Sequence, residues 1–230
     1  MTRAVVLVLL ATLAACSGES APARSAQGAR RAQPGPGAPG GQTDEAKPRI
    51  VFLGDSLTAG LGLASSESYP SLIGARLKQL GYDYEIVNAG VSGDTSAGGV
   101  RRLDWSLQGD VKVLVVALGA NDGLRGLPVE EMRRNLRQVL DGAKARGIPV
   151  ILAGMEAPPN NGPDYAREFR GVYSALAKEH GVRFIPFLLQ GVAGDASLNQ
   201  PDGIHPNTRG AEIIADLVWR ELEPALPRRY

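Results

Sequence analysis

Residues 48–230 of this 230-residue chain predict an α/β fold, a parallel sheet of about five strands with helices on both faces. Two observations lead to this prediction. Short apolar segments recur along the chain, and longer segments with helical periodicity separate them. Several of the short segments are continuously apolar instead of alternating, as expected for strands that are buried on both faces. The segment is long enough for one domain with a sizeable core.

The predicted strands are five short apolar segments that occur in order along the chain. They cover residues 50–53, 84–87, 111–118, 150–152 and 184–185. Parallel sheets of this kind bind ligands beyond the carboxyl ends of their strands. The residues that follow each segment are therefore where a functional site is expected.

Three apolar stripes with helical spacing predict helices within residues 69–80, 129–143 and 211–222. Gly81 and Gly147 follow two of these stretches and are predicted to end the helices, because glycine readily adopts the left-handed conformation found there. Trp105 and Trp219 also lie in helical stretches, and we expect both of them in the core.

The first 16 residues have the pattern of an export signal. Arg3 precedes the apolar segment 4–15, whose 12 residues are fewer than the roughly 20 that a spanning helix needs. Leu13-Ala14-Ala15-Cys16 resembles the bacterial lipobox, in which the cysteine is lipidated and becomes the mature N terminus. The resemblance implies an exported, membrane-anchored lipoprotein, and Ser17 favours the outer membrane. The alternative is an ordinary secretory signal with an incidental cysteine.

Residues 17–47 have the composition of a tether. Gly, Pro, Ala and Ser account for 20 of these 31 residues, and no Val, Ile, Leu, Met or aromatic residue is present. Such a segment cannot bury enough apolar surface to offset the entropy lost on ordering. We therefore expect a flexible, disordered tether that joins the lipid anchor to the domain.

The charge and the cysteine count exclude several classes of protein. The net charge is +1, and residues 48–230 hold 20 of the 25 basic and 21 of the 24 acidic residues, so a basic nucleic-acid-binding surface is not expected. Cys16 is the only cysteine, which excludes a disulfide within the chain and a cysteine-based zinc cluster. Asp202 and His205 alone cannot complete a metal site. We expect no metal, no cofactor and no nucleic-acid partner.

Polar residues and glycine follow three of the predicted strands, and a fourth polar block lies near the C terminus. The blocks are Gly54-Asp55-Ser56-Leu57, Asn88-Ala89-Gly90-Val91-Ser92-Gly93, Gly119-Ala120-Asn121-Asp122 and Asp202-Gly203-Ile204-His205. In this order they resemble the four sequence blocks of the SGNH hydrolases, also called GDSL esterases and lipases. The wider third and fourth blocks are similar to the branch of multifunctional periplasmic thioesterases, arylesterases and lysophospholipases. The resemblance implies a flavodoxin-like three-layer sandwich.

The chemistry of the residues agrees with this resemblance. A serine hydroxyl needs a base to become a nucleophile, and the chain has two histidines. His180 precedes Gly181 at a predicted helix end, where a histidine commonly contacts the helix terminus. His205 follows Asp202 by three residues, so one turn can present both side chains, and Pro206 suits the first turn of a following helix.

We therefore predict a catalytic triad of Ser56, His205 and Asp202. An alternative for Ser56 is a helix N-cap, and Asp202 with His205 could likewise only cap the helix that follows.

The resemblance further implies an oxyanion hole formed by the backbone N–H groups of Ser56 and Gly90 and the side-chain amide of Asn121. The alternatives are a turn glycine at position 90 and a capping role for Asn121. We interpret Gly93 as a turn glycine, and we expect Asp55 and Asp122 to hold their loops in place.

Two loops are candidates for substrate binding. Leu124 and Arg125 follow Asn121, in a segment that resembles a mobile substrate-side loop of the thioesterase branch. Pro158 lies in the segment 155–162, which follows the fourth predicted strand and is positioned to line an acyl pocket. The alternative for both segments is a passive connection.

These residues predict a serine esterase that hydrolyses carboxylic esters through an acyl-enzyme on Ser56, with a small acyl ester as its substrate and a membrane contact through the anchor at Cys16. Thioesterase or lysophospholipase activity fits the same site. Two alternatives remain open at this stage. One is a carbohydrate O-deacetylase on the same scaffold, and the other is a tethered binding module without catalytic activity.

Overall fold

The structure is a computed structural model that describes residues 47–227. The predicted signal segment 1–16, with Cys16, and the predicted tether up to residue 46 lie outside the described residues. Within residues 47–227, no helix combines the length and the apolar character that crossing a bilayer would require.

Five strands form one parallel sheet, which confirms the predicted fold class. The strands are β1 (Arg49–Gly54), β2 (Glu85–Gly90), β3 (Val111–Ala117), β4 (Val150–Ala153) and β5 (Arg183–Ile185). Their order in the sheet is β2-β1-β3-β4-β5, the order of flavodoxin-like folds. The chain changes direction across the sheet between β1 and β3. The loops that follow these two strands therefore diverge and leave a crevice at the edge where the strands end, called here the carboxyl edge.

Helices pack on both faces of the sheet. They are α1 (Ser56–Ala59), α2 (Tyr69–Gln79), α3 (Ser96–Ser106), α4 (Ala120–Leu124), α5 (Val129–Lys144), α6 (Pro163–His180) and α7 (Thr208–Leu222), with short 3-10 turns at Ser65–Glu67, Pro159–Asn161 and Glu223–Ala225. Helices α2 and α7 contact each other, and α5 packs between α3 and α6. Right-handed crossovers put α2 on one face and α3, α5 and α6 on the other.

The core lies against the central strands β1 and β3. Residues 50–53 and 114–116 are completely buried, which explains why these segments are continuously apolar in sequence. The apolar stripe of α5 contributes Met132, Leu136 and Val139, which are also completely buried. Gly81 and Gly147 follow α2 and α5 with φ angles of +73° and +67°, as the helix-end prediction requires.

Two local predictions are wrong. Trp105 is 66% exposed, because the last turn of α3 directs Leu103 and Ser106 inward and leaves the side chain between them facing solvent. Pro206 does not lie in the first turn of α7. Its backbone pairs with Asn199 in an antiparallel bridge, and the helix begins at Thr208, after the Asn207 side chain caps the N–H of Gly210 at 3.1 Å.

Candidate active site

A cavity of about 270 Å³ opens at the carboxyl edge of the sheet, and Ser56, Asn121 and His205 all line it. Ser56 comes directly after β1, Asn121 lies in the short helix that follows β3, and His205 lies just before α7. The fold therefore brings three of the predicted site residues, from distant parts of the chain, to one cavity.

Ser56 begins the short helix α1, where the chain leaves the central strand β1. The Asp55 carboxylate caps this helix by accepting the N–H of Leu57 at 3.0 Å. Asp55 is thus the capping residue, and Ser56 keeps its hydroxyl free for another partner. That partner is His205, whose Nε2 lies 3.0 Å from the Ser56 Oγ.

The other ring nitrogen of His205 faces a carboxylate. Its Nδ1 lies 2.7 Å from Oδ2 of Asp202. Because an ionised carboxylate can only accept hydrogen bonds, this contact favours the tautomer with the proton on Nδ1. Nε2 is then an acceptor, and the Ser56 hydroxyl donates to it.

The loop around Asp202 keeps this carboxylate charged. Its Oδ1 accepts the backbone N–H groups of Ile204 and His205, each at 3.0 Å. These two hydrogen bonds, followed by the bond to the His205 ring, lower the pKa of Asp202 to about 2. The same bonds fold the turn, so one short segment presents both the carboxylate and the imidazole to the cavity.

Gln200 joins the loop of His205 to the loop of Ser56. Its Nε2 donates to the carbonyl oxygens of Leu61, at 2.6 Å, and Pro206, at 2.9 Å. A Cβ at Gly62, which has a φ of +79°, would clash with the Gln200 side chain. This brace crosses from the segment after α1 to the segment before α7 and fixes the separation of the two loops.

Asn121 is held at the cavity by a contact from a neighbouring loop. Its Nδ2 donates to the carbonyl of Asp94 at 3.0 Å, and lies 3.4 Å from Oδ2 of Asp55. One amide hydrogen is therefore firmly bound, and the other is only weakly engaged. The adjacent Asp122 accepts the N–H of Ser96 at 2.8 Å and its hydroxyl at 2.5 Å, which locks α4 onto the start of α3.

The surroundings of Gly90 weigh against its predicted role in the oxyanion hole. Its N–H already donates to Oδ1 of Asn88 at 3.0 Å, and it lines a different groove together with Ala59 and Asn88. A Cβ at position 90 would clash with the backbone nitrogen of Ala59. Glycine is therefore required here, because two segments of the backbone approach each other closely.

Gly93 is the better candidate donor on the same loop. Among the contacts of residues 47–227, its N–H has no hydrogen-bond partner. Its φ is +80°, and it immediately precedes Asp94, whose carbonyl holds Asn121. The N–H of Ser56 is likewise without a partner among the described contacts. Sequence reasoning missed Gly93 because a glycine pattern does not show which N–H a strand end leaves unpaired.

Asp55 is a buried carboxylate beside the cavity residues and is only 1% exposed. Burial raises its pKa to about 6, although the Leu57 N–H, the nearby His205 and the Asn121 amide act in the opposite direction. Keeping the Asp55 carboxylate ionised therefore costs folding free energy. The carboxylate contacts Leu57 on one side and Asn121 on the other.

The cavity walls are mostly apolar. Of the predicted substrate-binding residues, Leu124 and Pro158 line the cavity and Arg125 does not. The Arg125 guanidinium instead donates to the carbonyl of Gly93 at 2.7 Å. Met155, in the same predicted segment as Pro158, also lines the cavity. Further walls come from residues that the sequence analysis did not assign to substrate binding: Leu57, Phe187, Leu189 and Ile204. Phe187 and Leu189 follow β5, the one predicted strand after which the sequence analysis assigned no site residue.

His180 lies at the opposite edge of the sheet, at the end of α6. Its Nδ1 contacts the carbonyl of Leu176 and its Nε2 contacts Oδ1 of Asp141, each at 3.1 Å. Within residues 47–227, no group of three or more His, Cys, Asp or Glu side chains is arranged to hold a metal ion.

Comparison with known proteins identifies relatives over most of the chain. A family model described as the GDSL-like Lipase/Acylhydrolase family matches residues 52–213. Esterase TesA of Pseudomonas aeruginosa is 43% identical over 178 residues, which are 77% of this chain and 89% of that protein. The thioesterase 1/protease 1/lysophospholipase L1 of Escherichia coli is 37% identical over 176 residues, or 76% of this chain and 83% of that protein.

Two solved structures also resemble this chain over most of its length. The crystal structure of TesA has a TM-score of 0.74 at 41% sequence identity, covering 78% of this chain and all of that one (100%). The psychrotrophic esterase EstA from Pseudoalteromonas, in a structure inhibited by monoethylphosphonate, has a TM-score of 0.73 at 33% identity and covers 76% of this chain and 97% of that one.

Proposed function

Because the chain belongs to the GDSL-like lipase/acylhydrolase family, we propose that it uses Ser56 as nucleophile, His205 as general base and Asp202 as the orienting carboxylate. The chain is a hydrolase that acts on ester bonds, like the relatives named esterase, arylesterase and thioesterase. The observation that carries the assignment of the triad is the distance of 3.0 Å between the Ser56 Oγ and the His205 Nε2.

In the first step, the Ser56 oxygen attacks the ester carbonyl and its proton passes to Nε2 of His205. The imidazolium that forms is stabilised by Asp202, whose carboxylate lies 2.7 Å from Nδ1. Because two backbone N–H groups hold Asp202 ionised, this charge is available throughout the neutral pH range.

The attacked carbonyl oxygen becomes negatively charged and needs preorganised donors. We assign this role to the Asn121 side-chain amide and the backbone N–H groups of Ser56 and Gly93. Gly93 takes the donor role that the sequence analysis gave to Gly90. The weakly engaged N–H of Asn121 is the one available to the oxyanion, since the other is bound to Asp94. His205 then protonates the leaving alcohol.

The second step removes the acyl group from Ser56. Water attacks the acyl-enzyme carbonyl while His205 takes its proton, and the same donors stabilise the second oxyanion. The Ser56 hydroxyl re-forms when the imidazolium returns the proton, so the enzyme ends the cycle as it began.

The substrates that fit this cavity are esters with an apolar acyl or aryl group. Leu57, Leu124, Met155, Phe187 and Ile204 offer the apolar surface, and a volume of about 270 Å³ suits a small acyl group. Aryl esters and short-chain acyl esters are the assay substrates of choice. The names of the relatives support thioesters and lysophospholipids as natural substrates. These walls offer few polar groups to a sugar, which disfavours a carbohydrate O-deacetylase.

We also propose that residues 1–16 are a lipoprotein signal, residues 17–47 a tether and residues 48–230 the hydrolase domain. The lipobox-like sequence that ends in Cys16 supports an exported, lipid-anchored protein, with the outer membrane favoured by Ser17. Metabolic labelling with a palmitate probe tests the anchor. Label should be present on the wild-type protein and absent from Cys16→Ser, and equal label on both would refute the anchor.

A fluorophosphonate probe tests the nucleophile, because it phosphonylates activated serines. The wild-type enzyme should label stoichiometrically and Ser56→Ala should not label. Ser174→Ala is a matched control, because Ser174 is exposed in α6 and contacts only the carbonyl of Gly171. No label on the wild type, or equal label on Ser56→Ala, would favour the non-catalytic binding module.

Hydrolysis rates with aryl acetates, acyl-CoAs, lysophospholipids and acetylated sugars then rank the substrate classes.

A further inference from the structure

Arg102 of α3 is a largely buried cation that takes no part in the proposed triad. Its side chain is 17% exposed, and its guanidinium makes three short contacts. One nitrogen donates to the carbonyl of Gly54 at 2.7 Å, another to the carbonyl of Ala89 at 2.6 Å, and Nε donates to Oδ2 of Asp94 at 2.7 Å. A single side chain therefore joins the ends of β1 and β2 to the loop that follows β2.

Two of these contacts lie next to donors that the proposed reaction uses, and the third lies near the end of β2. Gly54 lies two residues before Ser56, at the point where β1 ends. Asp94 directly follows Gly93, and its backbone carbonyl holds the Asn121 amide at 3.0 Å. Ala89 lies in β2, one residue before the strand ends and that loop begins. The three proposed oxyanion donors come from three different segments, and Arg102 contacts the supports of all three.

The chemistry of arginine suits this position. The guanidinium is planar and carries five N–H donors in a fixed fork, so it can hold two carbonyls and a carboxylate at once. Lysine has a compact charge on a flexible stem and cannot reproduce this geometry. The Asp94 carboxylate neutralises the buried charge, and its side chain is only 12% exposed. The pair therefore fixes geometry while it adds little net charge to the site.

We propose that Arg102 is a positioning residue that aligns the oxyanion donors of Ser56, Gly93 and Asn121 by clamping the ends of β1 and β2 and the Asp94 loop. This inference rests on the function proposed above. Arg102 does not contact the cavity, and it acts through the groups that it holds.

A clamp of this kind has a kinetic signature. The negative charge on the carbonyl oxygen develops in the transition state, so misaligned donors weaken transition-state binding more than substrate binding. Loss of the clamp should lower kcat and change KM little. A residue that only stabilises the fold would lower the unfolding temperature and leave kcat per folded molecule unchanged.

The test compares Arg102→Met and Arg102→Lys with Arg101→Met. Arg101 is a matched control, because it is the neighbouring arginine of the same helix and is exposed. Turnover is expressed per site labelled by fluorophosphonate at the end point, so that unfolded protein is not counted. We expect kcat to fall about 30- to 100-fold in Arg102→Met and about 10-fold in Arg102→Lys, with KM within about threefold and Arg101→Met unchanged.

A double-mutant cycle tests the route through Asp94. In the Asn121→Ala background, one of the donors that Arg102 positions is already absent, so Arg102→Met should cost several-fold less than it does in the wild type. Full additivity would overturn the proposal, and so would an unchanged kcat in Arg102→Met and Arg102→Lys. If both variants fail to fold, Asp94→Asn decides, because it removes the carboxylate and keeps the carbonyl that holds Asn121. A fall in kcat of about threefold or more supports the clamp, and an unchanged kcat overturns it.

The two proposals fail in different ways. If the wild type does not hydrolyse esters, or if Ser56→Ala keeps the label, the proposed function is wrong. If the wild type is active and labelled at Ser56 while the Arg102 variants match it in kcat, only the positioning role is wrong.

Discussion

Two histidine–aspartate pairs lie at opposite edges of the same sheet, and they differ in what the second ring nitrogen meets. His180 contacts Asp141 through Nε2 and the carbonyl of Leu176 through Nδ1. His205 contacts Asp202 through Nδ1, and its Nε2 faces the Ser56 hydroxyl. Both pairs lie beside cavities, of about 400 Å³ and 270 Å³, so a cavity does not distinguish them.

The difference shows what a catalytic histidine needs beyond a carboxylate. Both nitrogens of His180 lie against acceptor oxygens, so neither faces a hydroxyl that could act as a nucleophile. At His205, one acceptor fixes the ring and the remaining nitrogen meets a group that can donate. The edge of the sheet decides this outcome, because the loops that carry Ser56 and Asn121 both leave the carboxyl ends of strands.

The largest predicted effect concerns substitutions of the two histidines. His205→Gln should lower kcat by at least about 10⁴-fold, because the Ser56 hydroxyl loses its base. His180→Gln should leave kcat unchanged, because that ring only joins α5 to α6. Hydrolysis of an aryl acetate measures both. A loss of activity in His180→Gln at full solubility would contradict the distinction.

The carboxylates should repeat this contrast with a smaller effect. Asp202→Asn should lower kcat by about 10³- to 10⁴-fold, because an amide neither fixes the tautomer nor stabilises the imidazolium. Asp141→Asn serves as the control and should retain wild-type kcat, since the Asp141 side chain is exposed and remote from the cavity. Equal activity of the two variants would show that the Asp202 contact is only a turn-forming one.

Asn121 is a further difference between the two sites, because no side-chain amide contacts His180 among the described hydrogen bonds. Asn121→Ala should lower kcat by about 10²- to 10³-fold with a small change in KM, the usual effect of losing one oxyanion donor. Steady-state kinetics on the aryl ester measure the two constants separately. An Asn121→Ala enzyme that kept full kcat would remove the amide from the proposed oxyanion hole.

The smallest effect concerns stability and the buried carboxylate of Asp55. Its folded pKa of about 6 lies above the ordinary value of 3.8, so the native state holds this proton more tightly than the unfolded chain. Stability should therefore fall as pH rises from about 4 through 6, and the cost should be fully present above 6. Asp55→Asn removes this charge and keeps an acceptor for the Leu57 N–H.

Thermal unfolding of the wild type and Asp55→Asn at pH 4 and pH 8 measures this cost. The stability of Asp55→Asn relative to the wild type should rise between the two pH values by an amount that corresponds to at most about 3 kcal/mol. A relative stability that fell with rising pH would show that the carboxylate favours its charged form.

The sequence predicts the features that depend on burial and on order along the chain. Hydropathy located all five strands to within a few residues, because continuous apolar segments mark strands that are buried on both faces. Ser56, Asn121 and His205 were found because each follows or precedes a regular element in a recognisable polar block. Their meeting at one cavity follows from the parallel sheet.

The features that sequence reasoning missed depend on direction and on long-range contact. Gly90 ends β2 and Gly93 lies in the loop that follows, and only the path of the backbone shows that, among the described contacts, the N–H of Gly90 has a partner and that of Gly93 has none. Trp105 lies in a helix, and hydropathy does not say which way its last turn faces. Arg102 resembles any surface arginine of an amphipathic helix until β1, β2 and the Asp94 loop converge on it.

The bond between His205 and Ser56 joins positions 149 residues apart, nearly the full length of the domain. Synthesis delivers the hydroxyl early and the imidazole almost last, and contacts of such separation are slow to form because loop closure must come first. Under the proposed triad, a nascent chain, or one truncated before residue 202, holds the nucleophile Ser56 without its base His205. Under the proposed triad, ester cleavage therefore requires the segment of His205 to have folded against the end of β1.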